Sequence, residues 1–371
     1  MKILGQISQG LEELGALELK KLGAAKVTPA YRGVFFEADP ATVMSINYQS
    51  RLFDRFLLQL TSFGCHSSDY LYQKAAKYPW ENIFGINHTF AISGSTSGSK
   101  ISHSKWATLR LKDAIADHFR EISGKRPSVN RYEADVNLDL RIRGNQAEIR
   151  LDLSGGSLHR RGYRMETVKA PMRETIAAAA LEMSGWNGEK PLVDPMCGSG
   201  TLLCEALMKY CRIPAGFYRE KWGFFRMDEF SKLVWKNVKA EADDKIISLP
   251  EGLLSGSDIA SRAVNASRIN LGCFRDGGNV KITRRDWHTH PGYKSCTILT
   301  NPPHGIRLAE GVAQQQIKEF GDFMKQKCSG SEAYIYLGDR KLLKHIGLRT
   351  SWRKQLFSGG LDGRLAKFEL Y

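Results

Sequence analysis

Apolar positions recur along this chain with two periods, and the places where one gives way to the other outline its parts. In the first 60 residues, short β-like runs (Lys2 to Ile7, Gly33 to Ala38) alternate with stretches of helical spacing (Leu11 to Leu22, Pro40 to Leu52). This βαβ-like rhythm predicts a small α+β unit over residues 1–60. Further on, Phe90 to Ser93 predicts a strand, and Ser102 to Ile122 a helix with Trp106, Leu109, Ile115 and Phe119 on one broad face. Ala134 to Ile142 and Gln146 to Leu153 form a hairpin pattern about Arg143-Gly144-Asn145, which completes a second α+β unit over residues 61–165.

The pattern breaks at Ser154-Gly155-Gly156. A basic connector, His159-Arg160-Arg161-Gly162-Tyr163-Arg164, then leads to a helix expected from about Pro171, and a third unit is expected over residues 166–371. From Leu192 onward, β-prone runs (Leu192-Val193, Leu253 to Ser255, Val280 to Thr283, Cys296 to Thr300, Ala333 to Leu337) alternate with helical segments, which predicts an α/β, doubly wound and mostly parallel sheet. Thr350 to Phe357 and Arg364 to Leu370 leave no room for a helix between them and predict a terminal antiparallel hairpin. Cys204 to Pro250 is long for one crossover and carries an aromatic run from Gly216 to Phe225, so an extra helix or a lid is expected there.

Composition narrows the class. A chain of 371 residues with 42% apolar content can build two or three cores and is not disordered. It contains no run of about 18 apolar residues, and Met1 to Gly15 is interrupted by Gln, Ser and Glu, so a soluble cytoplasmic protein with no membrane partner is expected. The seven cysteines are scattered without a C-x-x-C pair and read as reduced thiols with no metal. The net charge of +15 favours a polyanionic partner. Lys100 to Arg173 holds 16 basic and 9 acidic residues, and Asp339 to Lys367 holds eight basic residues against two Asp.

Chemistry concentrates at strand ends. Leu192-Val193-Asp194-Pro195-Met196-Cys197-Gly198-Ser199-Gly200-Thr201 is an apolar strand closed by an acid, followed by a glycine turn and a helix. Gly198 and Gly200 permit positive φ and close approach of a ligand, and the helix amino terminus offers N–H groups to a carboxylate, as of a bound amino acid. A purely structural turn reads the same way from these residues alone. No G-x-G-x-x-G is present, and Gly94 to Lys100 lacks the glycine that a P-loop places before its lysine. Asp258, followed by Ile259, and Asp286 also close strands and suit ribose hydroxyls or an adenine amine; each suits a helix cap as well.

The most specific feature is Asn301-Pro302-Pro303-His304 at the end of an apolar strand. Prolines fix φ and lack N–H donors, which leaves local carbonyls free to accept. With the Asn301 side-chain oxygen, such a carbonyl could hold both hydrogens of a planar exocyclic amine while His304 stacks on the base.

Asp194 to Thr201 together with Asn301 to His304 resembles motifs I and IV of the class I, Rossmann-like amino-methyltransferases of nucleic-acid bases, in which the His304 position is usually Tyr or Phe. The preceding region is similar to a ferredoxin-like unit followed by a THUMP RNA-binding domain. Together with the connector and Ala170 to Thr175, it resembles the THUMP-linked RNA guanine-N2 methyltransferases, above all the amino-terminal half of the 23S rRNA enzymes, with relatives acting on tRNA. The resemblance implies S-adenosylmethionine as cofactor, with Asp194, Pro195, Met196, Cys197, Gly198, Gly200 and Thr201 at its methionine end. It further implies Asp258 and Ile259 at the ribose, Asp286 at the adenine amine, and Asn301 with Pro302, Pro303 and His304 at the target amine. Lys100, Lys105, Arg160, Arg161 and Arg164 are the expected RNA contacts. Methylation of adenine N6 or of a protein glutamine, and a non-catalytic RNA-binding protein on a relict fold, are the alternatives.

Overall fold

Alternation of apolar and polar residues shapes the first half of the molecule. The computed structural model describes residues 1–303 and 310–371. Its first sheet is built from β1 (Lys2–Ile7), β2 (Ala25–Ala30), β3 (Gly33–Glu37), β4 (Phe53–Gly64), β5 (Phe90–Ser97), β6 (Val136–Arg143) and β7 (Gln146–Asp152), in the order β2-β3-β1-β4-β7-β6-β5. Helices α1 (Glu12–Lys21), α2 (Pro40–Gln49), α3 (Ser68–Ala76) and α4 (Ser104–Ser123) belong to the same half. Val136, Leu138, Leu140 and Ile142 of β6 are buried in one core with Leu111, Ile115 and Phe119 of α4. The opposite face carries Lys2, Gln6, Gln59, Asp139, Arg141 and Arg143 around a cavity of about 840 Å³.

The boundary expected at residue 60 falls inside β4. This strand pairs with β1 on one side and β7 on the other, so the two α+β units share one sheet.

The second half starts with α5 (Glu174–Ser184) and forms its own sheet from β8 (Leu192–Asp194), β9 (Leu254–Asp258), β10 (Lys281–Arg284), β11 (Thr297–Thr300), β12 (Ser331–Leu337), β13 (Trp352–Gln355) and β14 (Arg364–Leu370). Helices α6 (Thr201–Tyr210), α7 (Lys232–Asp243), α8 (Ser261–Leu271) and α9 (Glu310–Lys327) connect them. The order is β10-β9-β8-β11-β12-β14-β13, parallel through β12 and antiparallel at β14 and β13, as the doubly wound pattern with its terminal hairpin requires. Strand order reverses between β8 and β11, and the crevice at the carboxyl ends of such a pair is where open α/β sheets take ligands.

The long segment after α6 contains the expected additional helix, α7, but its aromatic run fills a seam instead of forming a lid. Trp222 and Trp235 pack edge-on against Tyr48 of α2, and Trp222 stacks on Phe224. Gly223 lies so close to the first sheet that a Cβ there would meet the Asp152 carbonyl oxygen at 1.8 Å. The same seam buries Arg161, which donates to the carbonyls of Leu158 (3.0 Å) and Arg51 (2.5 Å) and to Glu205 (3.4 Å), while the Tyr163 hydroxyl donates to the same Glu205 oxygen.

Candidate active site

At the end of β8 the Asp194 carboxylate is 1% exposed. Its Oδ1 accepts from Thr300 Oγ1 of the neighbouring β11 at 2.7 Å and from the Met196 N–H at 3.2 Å. Burial pushes this carboxyl up to about 7 against the pull of those two bonds, and the charge of Asp258 adds to the rise.

The turn that follows is fastened on both sides. Cys197 N–H donates to the Ser257 carbonyl, and Gly198 N–H donates to Asp258 Oδ2 at 3.0 Å. Ser267 Oγ and Asn270 Nδ2 of α8 donate to the carbonyls of Gly198 and Ser199. Gly198 (φ 54°) and Gly200 (φ 78°) occupy the left-handed region, where any other residue would be strained. Helix α6 begins directly after Gly200 without a side-chain cap, which suits a carboxylate ligand. Burial raises the Cys197 thiol above its ordinary range, and Asp194 adds to this, so the sulfur stays protonated.

Asp258 also accepts from the Ala260 N–H at 2.9 Å, and the adjoining Ile259 side chain is 63% exposed. Asp286 Oδ1 lies 3.0 Å from the His288 N–H that it caps and 2.7 Å from His288 Nδ1, while His288 Nε2 lies 3.0 Å from Glu319 Oε2 on α9. Burial opposes ionisation of Asp286, but the two His288 bonds outweigh it and hold the carboxyl below the ordinary range.

These groups converge. A cavity of about 730 Å³ is lined by Pro195, Met196, Gly198, Asp258, Ile259, Asp286, Asn301 and Pro303, and a small annex of about 30 Å³ adds Asp194, Cys197 and Thr201. Asn301 borders both, and its Oδ1 is buried with no hydrogen-bond partner among the described residues. Pro302 is buried beside it. The expected stacking role of His304 falls outside the described residues.

The wall also includes Thr167, Val168 and Lys169, which follow the connector, and Trp287 and His288, none of which any motif marks. The only sequence signal for the first three is their place directly after a basic connector. Among the described residues, no group of three or more His, Cys, Asp or Glu side chains could hold a metal ion. None of the helices formed by those residues is long and apolar enough to cross a membrane.

Of the basic candidates, Lys100, Lys105 and Arg160 are exposed. Arg161 and Arg164 must be corrected, because Glu205, 44 residues away, and Glu174, 10 residues away, draw them inward. Arg161 is 1% exposed against Glu205. Arg164 pairs with Glu174 at 2.8 Å and donates to Ser199 Oγ and Thr201 Oγ1, bracing the glycine turn from below.

Comparison with known proteins places these features in sequence families. Residues 161–367 match the family described as RMKL-like, methyltransferase domain, residues 65–152 the THUMP domain, and residues 4–57 the RlmL ferredoxin-like domain. A Synechocystis sp. protein provisionally named an RNA methyltransferase is 34% identical over 98% of this chain and 96% of its own length. The ribosomal RNA large subunit methyltransferases K/L of Syntrophotalea carbinolica and Aliivibrio salmonicida are 36% and 35% identical, over 100% and 97% of this chain. The chain spans about half the length of these K/L relatives, 54% and 52% respectively. In fold, it matches a methyltransferase candidate crystallised with SAH (TM-score 0.87, 24% identity, 100% of this chain and 98% of that one). It also matches TrmN from Thermus thermophilus (TM-score 0.70, 17% identity, 100% and 99%).

Proposed function

Because the chain belongs to the family of RMKL-like methyltransferase domains, preceded by a THUMP and a ferredoxin-like domain, we propose that it methylates the exocyclic N2 of a guanosine in 23S rRNA. The fold expected from the sequence, a Rossmann-like methyltransferase sheet behind ferredoxin-like and THUMP-like units, is the fold observed.

The observation that carries the proposal is the buried Asn301 Oδ1, which has no hydrogen-bond partner among the described residues. A buried acceptor without a partner costs on the order of 1–3 kcal/mol, which an incoming amine would offset by donating to it. Held by Asn301 and an adjacent carbonyl, a planar amine is turned so that its lone pair faces the cofactor cavity. S-adenosylmethionine supplies a methyl group already made electrophilic by its positive sulfur. The protein's task is therefore alignment and electrostatics, with no strong general base.

In this reading Asp194, Pro195 to Gly198, Gly200 and Thr201 hold the methionine end, Asp258 and Ile259 the ribose, and Asp286 the adenine amine. Their fit is supported by the positive-φ glycine backbone at the cavity and by the two carboxylates that line it. A large-subunit rRNA substrate draws support from the name of the K/L relatives, and guanine N2 rests on the resemblance drawn from the sequence. The shared first sheet, with its THUMP region, would grip the RNA, and the target base would leave its stack to reach the cavity.

The test is incubation with labelled S-adenosylmethionine and, separately, 23S rRNA, 16S rRNA and tRNA lacking the modification, followed by nucleoside identification. N2-methylguanosine in 23S rRNA is expected. The same nucleoside in tRNA would move the substrate, N6-methyladenosine would move the target atom, and absence of label in every RNA would overturn the proposal.

A further inference from the structure

A cavity of about 630 Å³ lies between the first sheet and the connector and, among the described residues, shares no wall residue with the cofactor pocket. Its walls carry five guanidiniums, Arg55, Arg131, Arg160, Arg173 and Arg219, against two carboxylates, Asp54 and Glu133. Three of the five are committed. Arg173 pairs with Asp54 at 2.7 Å, Arg55 lies 3.4 Å from the buried Asp152, and Arg219 donates to the carbonyls of Ser154, Ser157 and Arg160. Arg131 and Arg160 are exposed and meet no carboxylate among the described residues.

Five guanidiniums against two carboxylates leave an excess of positive charge in this wall. His159 lies in the same wall, where burial, with the surrounding Arg173, Arg160, Arg161 and Arg164, pushes its imidazole down to about 4.

The loop that presents Arg131 is pinned at both ends. Asn130 donates its N–H to the Phe90 carbonyl, and its Oδ1 accepts from the Tyr132 and Glu133 N–H groups at 3.1 Å each. Asp135 accepts from the Thr89 N–H at 2.9 Å and from its hydroxyl at 2.8 Å. At the tip of this fastened loop the Tyr132 side chain is 93% exposed, although burying it would gain apolar contact. The cleft also shares Arg55, Arg131 and Asn137 with an adjoining cavity of about 410 Å³, which adds Lys105 and Lys112 from α4.

We propose that this cleft seats an unpaired segment of the RNA substrate, with phosphates on Arg131 and Arg160 and a base stacked on Tyr132, as a second anchor apart from the methylation pocket. The inference rests on the RNA reading above. Guanidiniums without partners are suited to phosphate oxygens, and an exposed aromatic ring takes a base face only where the base is unpaired.

The test uses the full chain and a fluorescein-labelled single-stranded oligoribonucleotide read by anisotropy at several salt concentrations. Arg131→Ala/Arg160→Ala should weaken binding about tenfold or more and lower the slope of log K against log salt by about 1.4, which is about 0.7 for each of two phosphates. Tyr132→Ala should weaken it by about tenfold, with Tyr132→Phe restoring it. Affinity for S-adenosylmethionine by calorimetry should stay within about twofold, which would exclude misfolding as the cause.

An unsubstituted protein that ignores the single strand, or variants with unchanged affinity and salt slope, would overturn the cleft. If the protein still methylates RNA in that event, only this inference falls. If it methylates no RNA at all, the RNA reading falls with it.

Discussion

In the second sheet every residue of β8 and β11 is buried, whereas in β6 of the first sheet buried and accessible residues alternate. Strands covered on both faces have no place for polar chemistry except at their ends, and Asp194 and Asn301 stand at the end of β8 and just beyond β11. A sheet covered on one face spreads its polar groups over the other, as Asp139, Arg141 and Arg143 do. The first arrangement makes a crevice for something small, and the second makes a surface for something large. Arg161, buried in the seam between the two halves, ties the one to the other through Glu205 and the Arg51 carbonyl.

The comparison breaks most severely if that tie is cut. Arg161→Ala leaves the buried Glu205 without its cation, with the Tyr163 hydroxyl still donating to it, and should destabilise the protein by about 3 kcal/mol, read by denaturant unfolding. An unchanged midpoint would show that the halves do not depend on this contact. Next in size, Asn301→Ala should lower methyl transfer by about 10²-fold or more while calorimetric affinity for S-adenosylmethionine is retained. A fully active variant would remove Asn301 from the reaction, and lost cofactor binding would move it to the cofactor.

The smallest effect concerns pH. Because burial raises the Asp194 carboxyl to about 7, its contribution to stability is fully present below the ordinary carboxylate range and is lost as pH rises through about 7. Cofactor affinity should move the opposite way, since an ammonium prefers the ionised carboxylate: a gain of about tenfold from pH 6 to pH 8, abolished in Asp194→Asn. A flat profile would place the ammonium elsewhere.

Legibility in the sequence follows the same division. The buried parallel strands stood out as apolar runs, and the glycine turn and Asn-Pro-Pro turn stood out because few residue types satisfy their backbone demands. The edge strand β2 was not legible, since AKVTPA is mostly accessible and contains a proline. Arg161 and Arg164 were legible as charge but not as burial, because Glu205 lies 44 residues from Arg161 and only folding supplies it. Thr167, Val168 and Lys169 left no mark, because a wall made by chain position needs no particular side chain.

Strand β4 has one more consequence. A cut at residue 60, where the rhythm of the chain changes, would not yield two exchangeable cassettes. It would sever a beam twelve residues long and leave raw backbone edges on both pieces, open to pairing with any strand at hand. The ferredoxin-like and THUMP regions are thus separable as words in the sequence but not as objects, and a grafting experiment that treats them as modules should yield aggregates where a cut beyond Asp152 would spare the sheet.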